Sequence, residues 1–152
     1  MANYYEPVPS PFSALAKAAL VGAYAGTACE LAAIFAIDFP GGAPLTEAWA
    51  IPILVLAYGT FAIPFTALGL CLFGLPLGKA LRPLLRYRWS FAFAVVCGAL
   101  SGQVFLWLFI GLRWGRLSVT DFPDAVIGAA WGLPTGLAYW YFERRARGIT
   151  SN

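Results

Sequence analysis

EAWAIPILVLAYGTFAIPFTALGLCLFGLPLGKALRPLLRYR, residues Glu47–Arg88, is the stretch whose reading decides the fold. From Ala48 to Gly78 it carries no charged side chain. A helix in water keeps a polar face, so a helix apolar on every side for this length reads as a membrane span. The run then breaks into Lys79, Arg82, Arg86 and Arg88, a basic cluster of the kind that marks the cytoplasmic side and can meet lipid headgroups. About 30 residues of helix would reach roughly 45 Å, against about 30 Å of hydrocarbon. Pro52, Pro64 and Pro76 punctuate the run. Pro52 falls near the first turn, where proline costs little, and Pro64 falls mid-span, where a kink is expected. The second span is therefore expected to be long and proline-kinked, over about 48–78.

Working outward, three more apolar segments qualify as spans, at about 14–37, 89–112 and 123–142, each near 20 residues or longer. The fold class that follows is all-α, an integral membrane bundle of four transmembrane helices. An N-terminal arm over residues 1–13 precedes it, with Pro7, Pro9 and Pro11 favouring an extended course. A short polar tail over 148–152 follows it. Composition agrees: of 152 residues, 61% are hydrophobic and only 11% charged, whereas a soluble domain carries about 25% charge.

Orientation follows from where the ten Lys and Arg residues fall. With both termini cytoplasmic, that side holds Lys17, Lys79, Arg82, Arg86, Arg88, Arg144, Arg145 and Arg147, and the outer side holds Arg113 and Arg116. Eight against two is a strong positive-inside bias. It also argues against a dual-topology dimer, which needs balanced loops. The Ala-, Gly-, Leu- and Arg-rich usage suggests a bacterial inner membrane. The net charge of +3 is no nucleic-acid signature, because the basic residues sit at span ends.

The chain has no histidine, which removes the commonest ligand of haem, chlorophyll and zinc. Cys29, Cys71 and Cys97 all lie within apolar stretches and form no CxxC pair. They read as small buried hydrophobes rather than as a disulfide framework or metal site. No nucleophile elbow, HExxH, Walker loop or paired catalytic carboxylates are present. The reading is of a protein that is not an enzyme and carries no cofactor or metal.

Two constellations remain. Glycines recur at i, i+4 on the spans: Gly22 with Gly26, Gly98 with Gly102, and the ladder Gly128, Gly132 and Gly136. In lipid, close backbone approach replaces the hydrophobic drive, and glycine permits it. These faces serve either internal packing or docking of a partner helix, with the Gly128 ladder the best candidate for docking. The second constellation is Glu30, the one acidic residue well inside a span. It shares a helix face with Ala18, Gly22 and Gly26. A charged carboxylate is costly there, so Glu30 is expected to be protonated, paired or in a wet cavity. A depth rule puts Gln103, Tyr58 and Trp131 near its level, and each carries a donor. The site reads as an interhelical clamp or as a proton- or cation-coupling group.

Two functions are compatible with these features. The preferred one is a small structural or accessory subunit that packs by its glycine faces against a larger membrane complex or against itself. The other is a small proton- or cation-coupled transporter or channel component that uses Glu30. In either case the bilayer is the first partner, and a membrane-protein partner or second copy the next.

Overall fold

The structure, a computed structural model, describes residues 11–38, 49–80, 82–85, 87, 89–115 and 118–148. Most of the N-terminal arm, the segment 39–48, Leu81, Arg86, Arg88, Arg116, Leu117 and the last four residues lie outside the described residues.

Five α-helices follow in order: α1 Pro11–Asp38, α2 Ala50–Gly69, α3 Leu75–Ala80, α4 Ser90–Trp114 and α5 Ile127–Ala146. Helix α1 begins at Pro11, three residues before the expected start of the first span. Proline is well placed at a helix start, since the N–H it lacks would have no partner there. Three helical segments are long and apolar enough to cross a membrane: Phe12–Ala36, Ala50–Ala80 and Ser90–Trp114. Helix α5 has 20 residues but carries Glu143, Arg144 and Arg145 near its end. Its helical geometry continues through these charges, past the expected span end at residue 142.

Pro64 lies inside the α-helix α2. The second segment leaves α geometry in a π-helical turn, Leu70–Gly74, where the Leu75 N–H donates to the Leu70 carbonyl five residues back. Pro76 accounts for its position. A proline ring collides with the carbonyl four residues earlier, here that of Leu72, and a wider turn relieves the collision and finds other partners for the freed groups.

The helices form a row, α2–α1–α5–α4, with extensive packing between neighbours. Each neighbouring pair is antiparallel. Tyr24 of α1 covers Gly59 of α2, Gly22 and Gly26 of α1 meet Thr135 and Trp131 of α5, and Gly98 and Gly102 of α4 meet Gly132 and Gly128. This order brings the starts of α1 and α4 to the same end as the C-termini of α3 and α5. The row curls until its outer members touch lightly. Phe65 of α2 meets Phe109 of α4 edge-on at 5.7 Å, and Gly69 faces Phe105.

Protein-buried residues concentrate on α1: Ala14, Leu15, Ala18, Ala19, Ala23 and Thr27. Small residues on two adjoining rows let α2 and α5 approach it closely. Thr27, 2% exposed, returns its hydroxyl to the Ala23 carbonyl at 2.9 Å, so no polar group is stranded. The cysteines correct the expectation of burial. Cys29 and Cys71 are exposed and Cys97 is half-buried. In a chain whose surroundings are lipid, a small apolar side chain needs no protein cover.

Candidate functional site

The central helix α5 organises the site because its two faces do different work. One is the ladder Gly128, Gly132 and Gly136. A Cβ at Gly136 would stand 2.9 Å from the Cα of Gly98, and a Cβ at Gly102 would stand 2.8 Å from the Cα of Gly132. Backbone therefore meets backbone along the α4–α5 seam. The other face presents Trp131, Thr135 and Ala138 to α1. A Cβ at Gly26 would lie 2.8 Å from the Trp131 ring, and one at Gly22 would lie 2.8 Å from the Thr135 Cβ. All seven of these interface glycines, Gly22, Gly26, Gly98, Gly102, Gly128, Gly132 and Gly136, thus pack between helices of this chain. The ladder expected as the best docking face is covered by α4. Three glycines are needed in α5 because two in α4 are staggered against them.

Glu30 continues the Gly22–Gly26 face by one turn. Its carboxylate accepts a hydrogen bond from the Trp131 indole N–H at 2.9 Å. The indole occupies the space that a side chain at Gly26 would take. Tyr58 is 60% exposed and lines the same cavity as Glu30 and Trp131.

Gln103 is drawn elsewhere. Its amide donates to the Phe122 carbonyl at 3.1 Å. The Trp107 indole donates to the Ser118 carbonyl at 2.8 Å, and its ring meets Phe122 edge-on. Together they tie the α4–α5 connection, with its 3-10 turns Val119–Asp121 and Pro123–Val126, back onto α4. Ser118 caps the first of these turns, its side-chain oxygen accepting from the Thr120 N–H at 3.3 Å. Trp107 is half-buried, and its indole N–H, which needs an acceptor there, finds one in the connection.

The basic residues also divide. Lys79 lies in the last turn of α3, Arg82 in a 3-10 turn Arg82–Leu84, and Arg145 is exposed. Arg144 and Arg147 have partners within the chain. Arg144 is buried, its guanidinium 4.9 Å from the Trp140 ring centre, and Arg147 pairs with Glu143, which is 5% exposed. An arginine over an indole face is held by the ring's quadrupole. Trp140 in turn donates to the Ser90 hydroxyl at 2.7 Å, which donates to the Tyr87 carbonyl, so this end of α5 is latched to the start of α4.

Between the curled ends of the row lies a cavity of about 990 Å³. It runs from Leu85 and Ser90 at one end to Ile127 and Arg113 at the other, close to the length of α4. Its walls are mainly apolar and aromatic, and among the described residues Glu30 is its only acidic lining residue. Among the described residues, no group of His, Cys, Asp and Glu is arranged to hold a metal ion. No family model matches the chain, and neither a curated protein nor a solved structure is similar to it.

The Glu30–Trp131 bond has a measurable stability consequence. Glu30→Gln keeps an acceptor for the indole and is expected to leave thermal unfolding in detergent nearly unchanged. Glu30→Leu removes the acceptor and is expected to cost about 1 kcal/mol, the upper part of the range for interhelical hydrogen bonds in membranes. A loss in Glu30→Gln as large as that in Glu30→Leu would show that the carboxylate charge, and not the bond, carries the effect.

Proposed function

We propose that the chain is a small transporter or channel component, a four-span bundle with both termini cytoplasmic in a bacterial inner membrane, in which Glu30 couples the movement of a proton or another cation. One observation carries this reading: the Glu30–Trp131 pair lies in the wall of a large apolar cavity. Cavities of up to about 1,000 Å³ with few, convergent polar groups are the usual form of small-molecule sites. An acidic group inside a span is costly, which favours a working role for it over a passive one. A clamp alone would need no cavity beside it.

The test is proton flux in proteoliposomes under an imposed pH gradient, with a mixed panel of small organic solutes present. The wild-type protein is expected to dissipate the gradient faster than empty vesicles. Glu30→Gln is expected to return the rate to that of empty vesicles with its unfolding temperature intact. A wild-type rate equal to that of empty vesicles sinks the proposal.

A second reading, an accessory subunit bound to a partner membrane protein or a second copy, is favoured by the light contact between α2 and α4. There the helices of this chain leave a seam open. The glycine faces do not supply that docking surface, since they lie within the chain's own interfaces. Purification in mild detergent, with identification of any stoichiometric co-purifying chain, separates this reading from the first.

A further inference from the structure

The chamber's lining specifies a ligand more narrowly than its size does. Glu30 is half-buried, and one carboxylate oxygen accepts from Trp131. Among the described residues the other oxygen has no hydrogen-bond partner and Glu30 has no ion-pair partner. That oxygen is not buried by protein, since no buried side-chain oxygen among the described residues lacks a partner. Glu30 itself lines the cavity. The same cavity is lined by aromatic rings from three helices: Tyr58, Phe61 and Phe65 of α2, Phe105 and Phe109 of α4, and Trp131 of α5.

We propose that this chamber binds a lipophilic organic cation, with Glu30 as its counter-charge and the surrounding rings as its walls. The proposal rests on reading the chamber as a solute site and adds the class of solute. Three features select it. A cation over an aromatic face is attracted by the ring's quadrupole, more strongly where water is excluded. A carboxylate in apolar surroundings gains most from an opposite charge, because low polarity strengthens the attraction. The sparse polar lining offers little to a sugar or amino acid, whose many hydroxyl or amide groups would go unpaired. Arg113 also lines the cavity, but it is the penultimate residue of α4, whereas Glu30 lies eight residues before the end of α1. With the two helix ends on the same side, Arg113 is about 10 Å farther along the axis, at the rim.

Tetraphenylphosphonium and tetraphenylborate, two ions of nearly the same shape and opposite charge, make the test. Equilibrium dialysis of each against the purified protein in non-ionic detergent reads the affinity. The cation is expected to bind saturably at one site, roughly tenfold or more tighter than the anion. Glu30→Gln is expected to remove that preference. Equal affinity for the two ions, or cation binding unchanged in Glu30→Gln, overturns the proposal. Preference for the borate overturns it as well and assigns the chamber to Arg113. If Glu30→Gln does not fold, the wild-type ratio of the two affinities decides alone, with a ratio near one overturning it. Failure of both ions to bind overturns the ligand class, while the flux measurement independently decides whether the chamber transports.

Discussion

Gly132→Ala is expected to lower the stability of the protein by about 3 kcal/mol, the upper end of the range for inserting one carbon into a packed interface. The added methyl would collide with the Gly98 carbonyl oxygen and stand 2.9 Å from the Cα of Gly102. Both neighbours are backbone, so no side chain can rotate away. Relief requires α4 and α5 to separate along the whole seam. Contact loss is costly there, because lipid supplies little drive to hold helices together. Gly69→Ala is the matched control. Its methyl would meet the Phe105 ring at 3.9 Å, an ordinary contact, and the change is expected to be silent to within about 1 kcal/mol. Thermal unfolding of the two variants in one detergent makes the comparison. Equal stabilities would mean that α4 and α5 do not meet through their glycines.

Trp131→Ala is expected to cost about 3 kcal/mol as well, for a different reason. The indole fills the space over Gly26 and donates to Glu30. Removing it opens a void between α1 and α5 and strips the carboxylate of its donor. Trp131→Phe keeps most of the filling and loses only the donor, so its cost is expected to be about 1 kcal/mol or less. The ratio between the two variants apportions packing against hydrogen bonding. If Trp131→Phe costs as much as Trp131→Ala, the hydrogen bond rather than the ring holds α1 to α5.

Some of this arrangement was legible in the residues. Long apolar segments with charges at their ends specify helices in lipid, since no other element satisfies its own backbone there, and three such helices are found among the described residues. Helical period places Glu30 on the face of Gly22 and Gly26, and in the structure that face lies against Trp131. Depth arguments were less selective. Gln103 was expected near Glu30's level, yet its amide reaches a loop carbonyl at Phe122. A depth rule says nothing about the direction in which a side chain leaves its helix. The π-helical turn of the second segment was not legible either. Three prolines are visible in the sequence, but which neighbouring turn leaves α geometry depends on how the freed backbone groups find partners, and here that turn is Leu70–Gly74.

The sequence by itself determined that the chain is helical, that its long helices are apolar enough for a membrane, and which residues are small enough to let helices touch. Those properties are local: they depend on side-chain polarity, size and spacing along one segment. Only the tertiary structure decided that α5 lies between α1 and α4, that the glycine ladder is spent inside the chain, and that α2 and α4 leave a chamber beside Glu30. Glycine permits close approach without naming a partner, and an apolar helix in lipid has no preferred neighbour until shapes are matched across the gap. The chamber exists because the α1–α5 and α4–α5 seams draw tight, while the side chains of α2 and α4 meet at little more than Phe65 and Phe109.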